Sequence, residues 1–255
     1  MNSERPKRRT RRTEILFFVL PNLFTTGNLF FGFLSLLSSF NSKWETAALS
    51  IMAGTFADSL DGRVARMTNA QSEFGEQYDS FADLLTFGVA PSVLMFHWAL
   101  SGLGRFGWIA AFLFLVCATL RLARFNVLKQ SGEKRFFQGC PSPVAAGTVA
   151  SAILFYTEMG FVGFRESYMG LLMILLGCCM ISTLRYRSFK DLKFKSQKTF
   201  AWILIAVIVL AVFSPKPELL IFPILLSYVT LGPIFEFFRW INRLWFRKIR
   251  RNVAP

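Results

Sequence analysis

Acid is what this chain has least of: 15 Asp and Glu stand against 29 Lys and Arg in 255 residues, a formal net charge of +14. Histidine occurs once, at His97, and the four cysteines, Cys117, Cys140, Cys178 and Cys179, follow no regular spacing. Charged residues are 17% of the chain, short of the roughly one quarter of a soluble domain. Each shortage excludes something. Cysteines this few do not staple a secreted domain, their spacing fits no zinc site, and the adjacent Cys178 and Cys179 point in different directions on a helix. No Ser-His-Asp set, P-loop or G-x-G-x-x-G occurs. Gly/Ser linkers, low-complexity tracts and strong internal repeats are also missing, so one domain is expected. What is plentiful is apolar: 53% of residues are hydrophobic and 30 are Phe, which excludes disorder. The surplus of base suggests a nucleic-acid binder until the apolar blocks are located. They make the chain a polytopic membrane protein with no nucleic-acid partner.

A helix crosses a bilayer core with about 20 mainly apolar residues. Candidate spans are Ile15–Ser39, Thr46–Arg66, Asp79–Leu100, Phe106–Leu120, Pro141–Thr157, Ser167–Leu184, Thr199–Phe213 and Leu219–Phe235. The first is too long for a signal-peptide core and has no cleavage-like end. With the N-terminus in the cytoplasm, 25 of the 29 cations fall on the cytoplasmic side, and only Lys43, Arg105, Arg165 and Lys216 on the other. The positive-inside rule therefore supports an even number of helices with both termini cytoplasmic. The expected fold is all-α, a polytopic helical bundle of about eight transmembrane helices. Basic flanks of this kind also attract anionic lipid headgroups. Trp240 and Trp245 among the cations at 239–251 fit an interfacial tail.

Of five Asp in the chain, four lie at Asp58, Asp61, Asp79 and Asp83. Each pair is spaced i to i+3 or i+4, which puts two carboxylates on one helix face. One pair closes the second span and the other opens the third, with a turn from Met67 to Gln77 between them, so two antiparallel helices bring four carboxylates together. Carboxylates inside a span are costly, and several together resist ionising. Divalent cations relieve both, and an all-oxygen set selects Mg²⁺ or Mn²⁺. Two such ions clamp a phosphoryl group for in-line displacement. Gly62 and Gly75 leave room for close backbone approach, and the Arg66 fork suits phosphate oxygens. An ion-pair network with Arg63 and Arg66 is the plainer reading, but it leaves the acids in surplus. A cation-coupled transporter also uses such carboxylates.

The stretch from Asp58 to Asp83 resembles, at every position, the CDP-alcohol phosphotransferase signature D-x2-D-G-x2-A-R-x8-G-x3-D-x3-D. The resemblance covers the first six spans. It implies a core at 15–185, with a basic segment at 1–14, a basic loop and two added helices at 186–236, and a basic tail at 237–255. It implies that an alcohol displaces CMP from a CDP-linked lipid. By position, Asp58, Asp61, Asp79 and Asp83 would hold two divalent cations, and Asp83 would also be the general base. Gly62, Arg66, Ser72 and Gly75 would hold the CDP moiety. Pro21–Thr25 is similar to the family's first-helix segment, with Asn22 and Thr25 as the nucleotide contacts.

Three further segments, Leu84–Pro91, Arg121–Asn126 and Gly139–Ala146, resemble the phosphatidylserine synthase branch of that family. The branch implies CDP-diacylglycerol and L-serine as substrates. Arg121, Arg124 and Asn126 are the candidates for the serine carboxylate, although positive-inside flanking and a helix cap explain them equally well. Other acceptors, glycerol 3-phosphate or inositol phosphate, remain alternatives. The resemblance further implies a homodimer in the inner membrane of a prokaryote, with its active site facing the cytoplasm. His97 is expected to be a packed or interfacial side chain, and the cysteines to be packing residues.

Overall fold

The computed structural model describes residues 11–68, 72–130, 139–160, 165–182 and 220–233, and over these residues every regular element is a helix. In chain order they are α1 (Arg11–Phe40), α2 (Trp44–Thr68), α3 (Glu73–Asp83), α4 (Ala90–Trp98), α5 (Arg105–Gln130), α6 (Ser142–Met159) and α7 (Arg165–Ile181). A further helix, α8, covers 220–233. The expected seventh span, the basic loop before it and the C-terminal tail lie outside the described residues.

Asn22–Phe40, Glu73–Trp98 and Arg105–Leu128 are each long and apolar enough to cross a membrane. Phe87, Leu94, Phe114 and Met173 are buried as in any core, but α1 inverts the pattern of a water-soluble helix. Along α1, Thr25, Asn28, Ser35, Ser38 and Ser39 are buried while Leu23, Phe30, Phe33, Leu37 and Phe40 are exposed. Lipid tails are as apolar as Phe, so there is no gain in hiding Phe from them. What helices gain by meeting is close contact, which small residues permit, and partners for polar groups. α6 follows the same rule, burying Ala145, Ala146, Thr148, Ala150, Ser151 and Ala152. α1 packs mainly on α2, α2 also on α6, and α5 on α7.

The third span differs from expectation. It begins at Glu73, six residues before Asp79, and runs to Trp98 through a π-helical stretch, Leu84–Val89. Ser72 starts it as N-cap, accepting a hydrogen bond from the Gly75 N–H at 3.0 Å. The π turn precedes Pro91, whose ring in unbroken α-helix would clash with the Phe87 carbonyl; here the Ala90 N–H bonds to Leu85 instead. The connection between the two Asp pairs is therefore only residues 69–72, not Met67–Gln77. The fourth span is longer as well. Helix α5 continues ten residues past Leu120, because polar residues leaving the bilayer do not interrupt a helix. Arg121, Arg124 and Asn126 are thus helix-interior residues, and Asn126 caps nothing.

Candidate active site

The short connection between α2 and α3 sets the two Asp pairs face to face. One carboxylate oxygen from each of Asp58, Asp61 and Asp79 lies within 4.8 Å of the other two. Asp61 is buried, and Thr25 on α1 donates to it at 3.2 Å. Asp83 stands one turn further along and accepts from the Asn28 amide at 3.1 Å. Carboxylates this close repel one another strongly unless a cation sits between them. The set is all hard oxygen, so the residues present fit Mg²⁺ or Mn²⁺.

Asp58, Asp79 and Asp83 form one wall of a cavity of about 260 Å³. The facing wall comes from α5, through Arg121, Leu122, Phe125 and Asn126. These positions, i, i+1, i+4 and i+5, share a helix face, and Arg124 lies off it. Arg121 donates to the Ser142 hydroxyl at 2.8 Å, and Asn126 donates to Ser80 at 2.9 Å. Arg124 instead reaches the Ile181 carbonyl at the end of α7, at 3.5 Å. The third wall is the start of α6, at Pro141, Ser142 and Pro143. A tight turn aims it inward. Gly139 has φ +87°, and a Cβ there would overlap the Met180 carbonyl oxygen, so this position demands glycine. The Gly139–Ala146 segment is thus a turn that delivers a helix start to the cavity.

The remaining expected residues divide. Gly75 packs closely, with room for a Cβ only 3.1 Å from the Ser72 hydroxyl and 3.5 Å from the Asn22 side chain. Gly62 has no other helix of the described residues within 4 Å of that position, so its missing side chain leaves open space rather than a helix contact. Ser72 has a structural task as N-cap. The Arg66 side chain lies outside the described residues. His97 packs edge-on against Phe40 and Phe96, at 5.3 and 5.6 Å between ring centroids. All four cysteines are free thiols, with Cys117 and Cys140 buried.

Several polar contacts at the site involve residues with no part in the sequence motif: Asn28, Thr86, Ser80, Ser142, and the Thr26–Tyr78 hydroxyl pair at 3.0 Å. A signal for the first existed. Asn22, Thr25 and Asn28 recur every three residues in a largely apolar helix, and intramembrane polar residues face the bundle interior.

Over residues 18–181 the chain matches the CDP-alcohol phosphatidyltransferase family. The chain belongs to this family, and with its apolar helices it is an integral membrane protein. Among similar proteins is the CDP-diacylglycerol–serine O-phosphatidyltransferase of Helicobacter pylori, 36% identical over 189 residues, which are 74% of this chain and 79% of that one. The enzyme of the same name from Mycobacterium leprae is 34% identical over 220 residues, 83% of this chain and 72% of its own. An archaetidylserine synthase from Methanothermobacter thermautotrophicus is 36% identical over 174 residues, 67% of this chain and 70% of its own.

Proposed function

We propose that the protein transfers the phosphatidyl group of CDP-diacylglycerol to the hydroxyl of L-serine, giving phosphatidylserine and CMP. The observation that carries this reading is the cavity lined by carboxylates on one wall and by Arg121 and Asn126 on another. The first wall suits a diphosphate with its metals. The second suits an acceptor that bears a carboxylate. The relatives' names support serine as that acceptor. A phosphorylated acceptor such as glycerol 3-phosphate or inositol phosphate would call for a denser set of cations, and among the described lining residues Arg121 is the one cation.

In this mechanism Asp83 takes the proton of the serine hydroxyl, and the oxygen attacks the lipid-side phosphorus. The P–O bond to CMP breaks, and CMP leaves with the electron pair. Asp58, Asp61 and Asp79, with Asp83 alongside, would hold two divalent cations, Mg²⁺ or Mn²⁺, which neutralise charge on the diphosphate. Arg121 and Asn126 orient the serine carboxylate, and Arg121 is held in place by Ser142. Asn22, Thr25, Gly62, Arg66, Ser72 and Gly75 are the CDP side of the site. Thr25 and Ser72 act there by fixing Asp61 and the start of α3, and Gly62 by leaving space for the nucleotide.

The match over 18–181 supports a six-helix core at 15–185, with two added helices and basic ends beyond it. Both termini and the active site face the cytoplasm, the enzyme is a homodimer, and its place is the inner membrane of a prokaryote. The charge asymmetry of the loops supports this orientation. The test is CMP release by the purified protein with CDP-diacylglycerol, Mn²⁺ and a panel of alcohols. Serine-dependent release that falls about 100-fold or more in Asp83→Asn is expected. Release with glycerol 3-phosphate in place of serine would assign a different acceptor, and no release with any alcohol would remove the reading.

A further inference from the structure

Asp83, like Asp61, is held by a polar side chain of α1. Asn28 grips one of its oxygens from α1, across 55 residues of sequence, at 3.1 Å. Asn28 is fully buried and is not among the residues lining the cavity, so it approaches the carboxylate from behind. Only an N–H can face a carboxylate there, which fixes the orientation of the amide. The other end of the amide, Oδ1, has no hydrogen-bond partner among the described residues. A buried polar atom left this way is costly, and its cost is accepted where the opposite end of the group has a task.

The backbone carrying Asn28 is itself tied down. The Thr86 hydroxyl, in the π turn that follows Asp83, donates to the Asn28 carbonyl at 2.9 Å. Thr86 is fully buried in a socket between α1 and α2. A Cβ on Gly32 would overlap its hydroxyl, and one on Gly54 would lie 2.6 Å from its methyl group and 3.1 Å from Asn28 Oδ1. Two glycines on two helices thus admit one threonine, and the threonine fastens the π turn to α1. π turns inside α-helices are frequent at functional sites.

We propose that Asn28 is a positioning residue for Asp83, holding one carboxylate oxygen so that the other meets the acceptor hydroxyl, with Thr86 in its two-glycine socket fixing Asn28. This rests on the reading of Asp83 as general base. Asn28 touches neither substrate; it acts through Asp83. Misplacing a reacting group by about an ångström costs on the order of 100-fold in rate.

The experiment measures CMP release, Mn²⁺ binding by electron paramagnetic resonance and thermal unfolding on the full-length protein in detergent. The variants are Asn28→Ala, the near-isosteric Asn28→Leu and Thr86→Val. The Asn28 variants are expected to lose kcat about 100-fold. Their KM for serine and for CDP-diacylglycerol stays within about twofold, and Mn²⁺ affinity and unfolding temperature are unchanged. Thr86→Val is expected to show the same pattern at a smaller, about tenfold, loss. If kcat stays within about twofold in the Asn28 variants, the proposal is overturned. It is equally overturned if kcat falls only together with Mn²⁺ binding or stability in all three variants, since the residues then serve the bundle and not the base. Asp83→Asn, measured alongside, separates the two ideas. Full CMP release by Asp83→Asn sinks the base reading, whereas a dead Asp83→Asn beside a fully active Asn28→Leu sinks the positioning role alone.

Discussion

Arg121 and Arg124 share a helix and a charge but not a destination. One faces the cavity and donates to Ser142; the other turns to the end of α7. Arg121→Ala is therefore expected to raise the KM for serine about tenfold or more, the worth of a charge-assisted hydrogen bond, with the KM for CDP-diacylglycerol little changed. Steady-state CMP release at varied serine checks this. Arg124→Ala is expected to leave the serine KM within about twofold, since an exposed bond to a helix end contributes little. Asp61 makes a separate case. Its carboxylate is buried with those of Asp58 and Asp79 close by, so Asp61→Asn is expected to weaken Mn²⁺ binding about tenfold or more, read directly by electron paramagnetic resonance. Asp61 was visible in the motif, and Arg121 and Arg124 in a separate segment, because each pattern is local. That Asn28 holds Asp83 was not visible, because the two lie in different helices and nothing near Asn28 in sequence names Asp83.

Among the elements, the third span and the turn into α6 do most to shape the site. The stretch Leu84–Pro91 reads in sequence as an apolar run beside a motif. In the fold it is a π turn that accommodates Pro91 and carries Thr86 toward α1. Gly139–Ala146 likewise reads as a string of small residues and prolines, and folds as a left-handed turn opening onto a helix start. Gly139→Ala combines a backbone strain with overlap on the Met180 carbonyl, and should destabilise the protein by more than about 1 kcal/mol. A lowered unfolding temperature with a raised serine KM is the expected result, because Ser142 and Arg121 would shift with the turn. Helix existence was legible from hydropathy. Helix ends were less so: Ser72 marks the start of α3 and the run past Leu120 extends α5, and neither depends on apolar content.

For the whole molecule the sign of the charges is the plainest guide. With the proposed orientation, a cysteine at Lys43, between α1 and α2, should be labelled by a membrane-impermeant maleimide added outside intact cells. One at Asn69, between α2 and α3, should be labelled only after permeabilisation. Both are made with Cys178, the exposed native thiol, replaced. Labelling in the reverse order would overturn the orientation. The sequence alone determined the membrane class, the presence of long apolar helices and the four carboxylates, because each depends on composition or on spacing within a turn or two of helix. Tertiary structure decided which residues stand behind those carboxylates, which arginine enters the cavity and why glycines sit at 32, 54 and 139. Those are contacts between helices far apart in the chain. No local pattern encodes them, because a buried helix face here mixes small, polar and large apolar side chains, and its partner is chosen by fit.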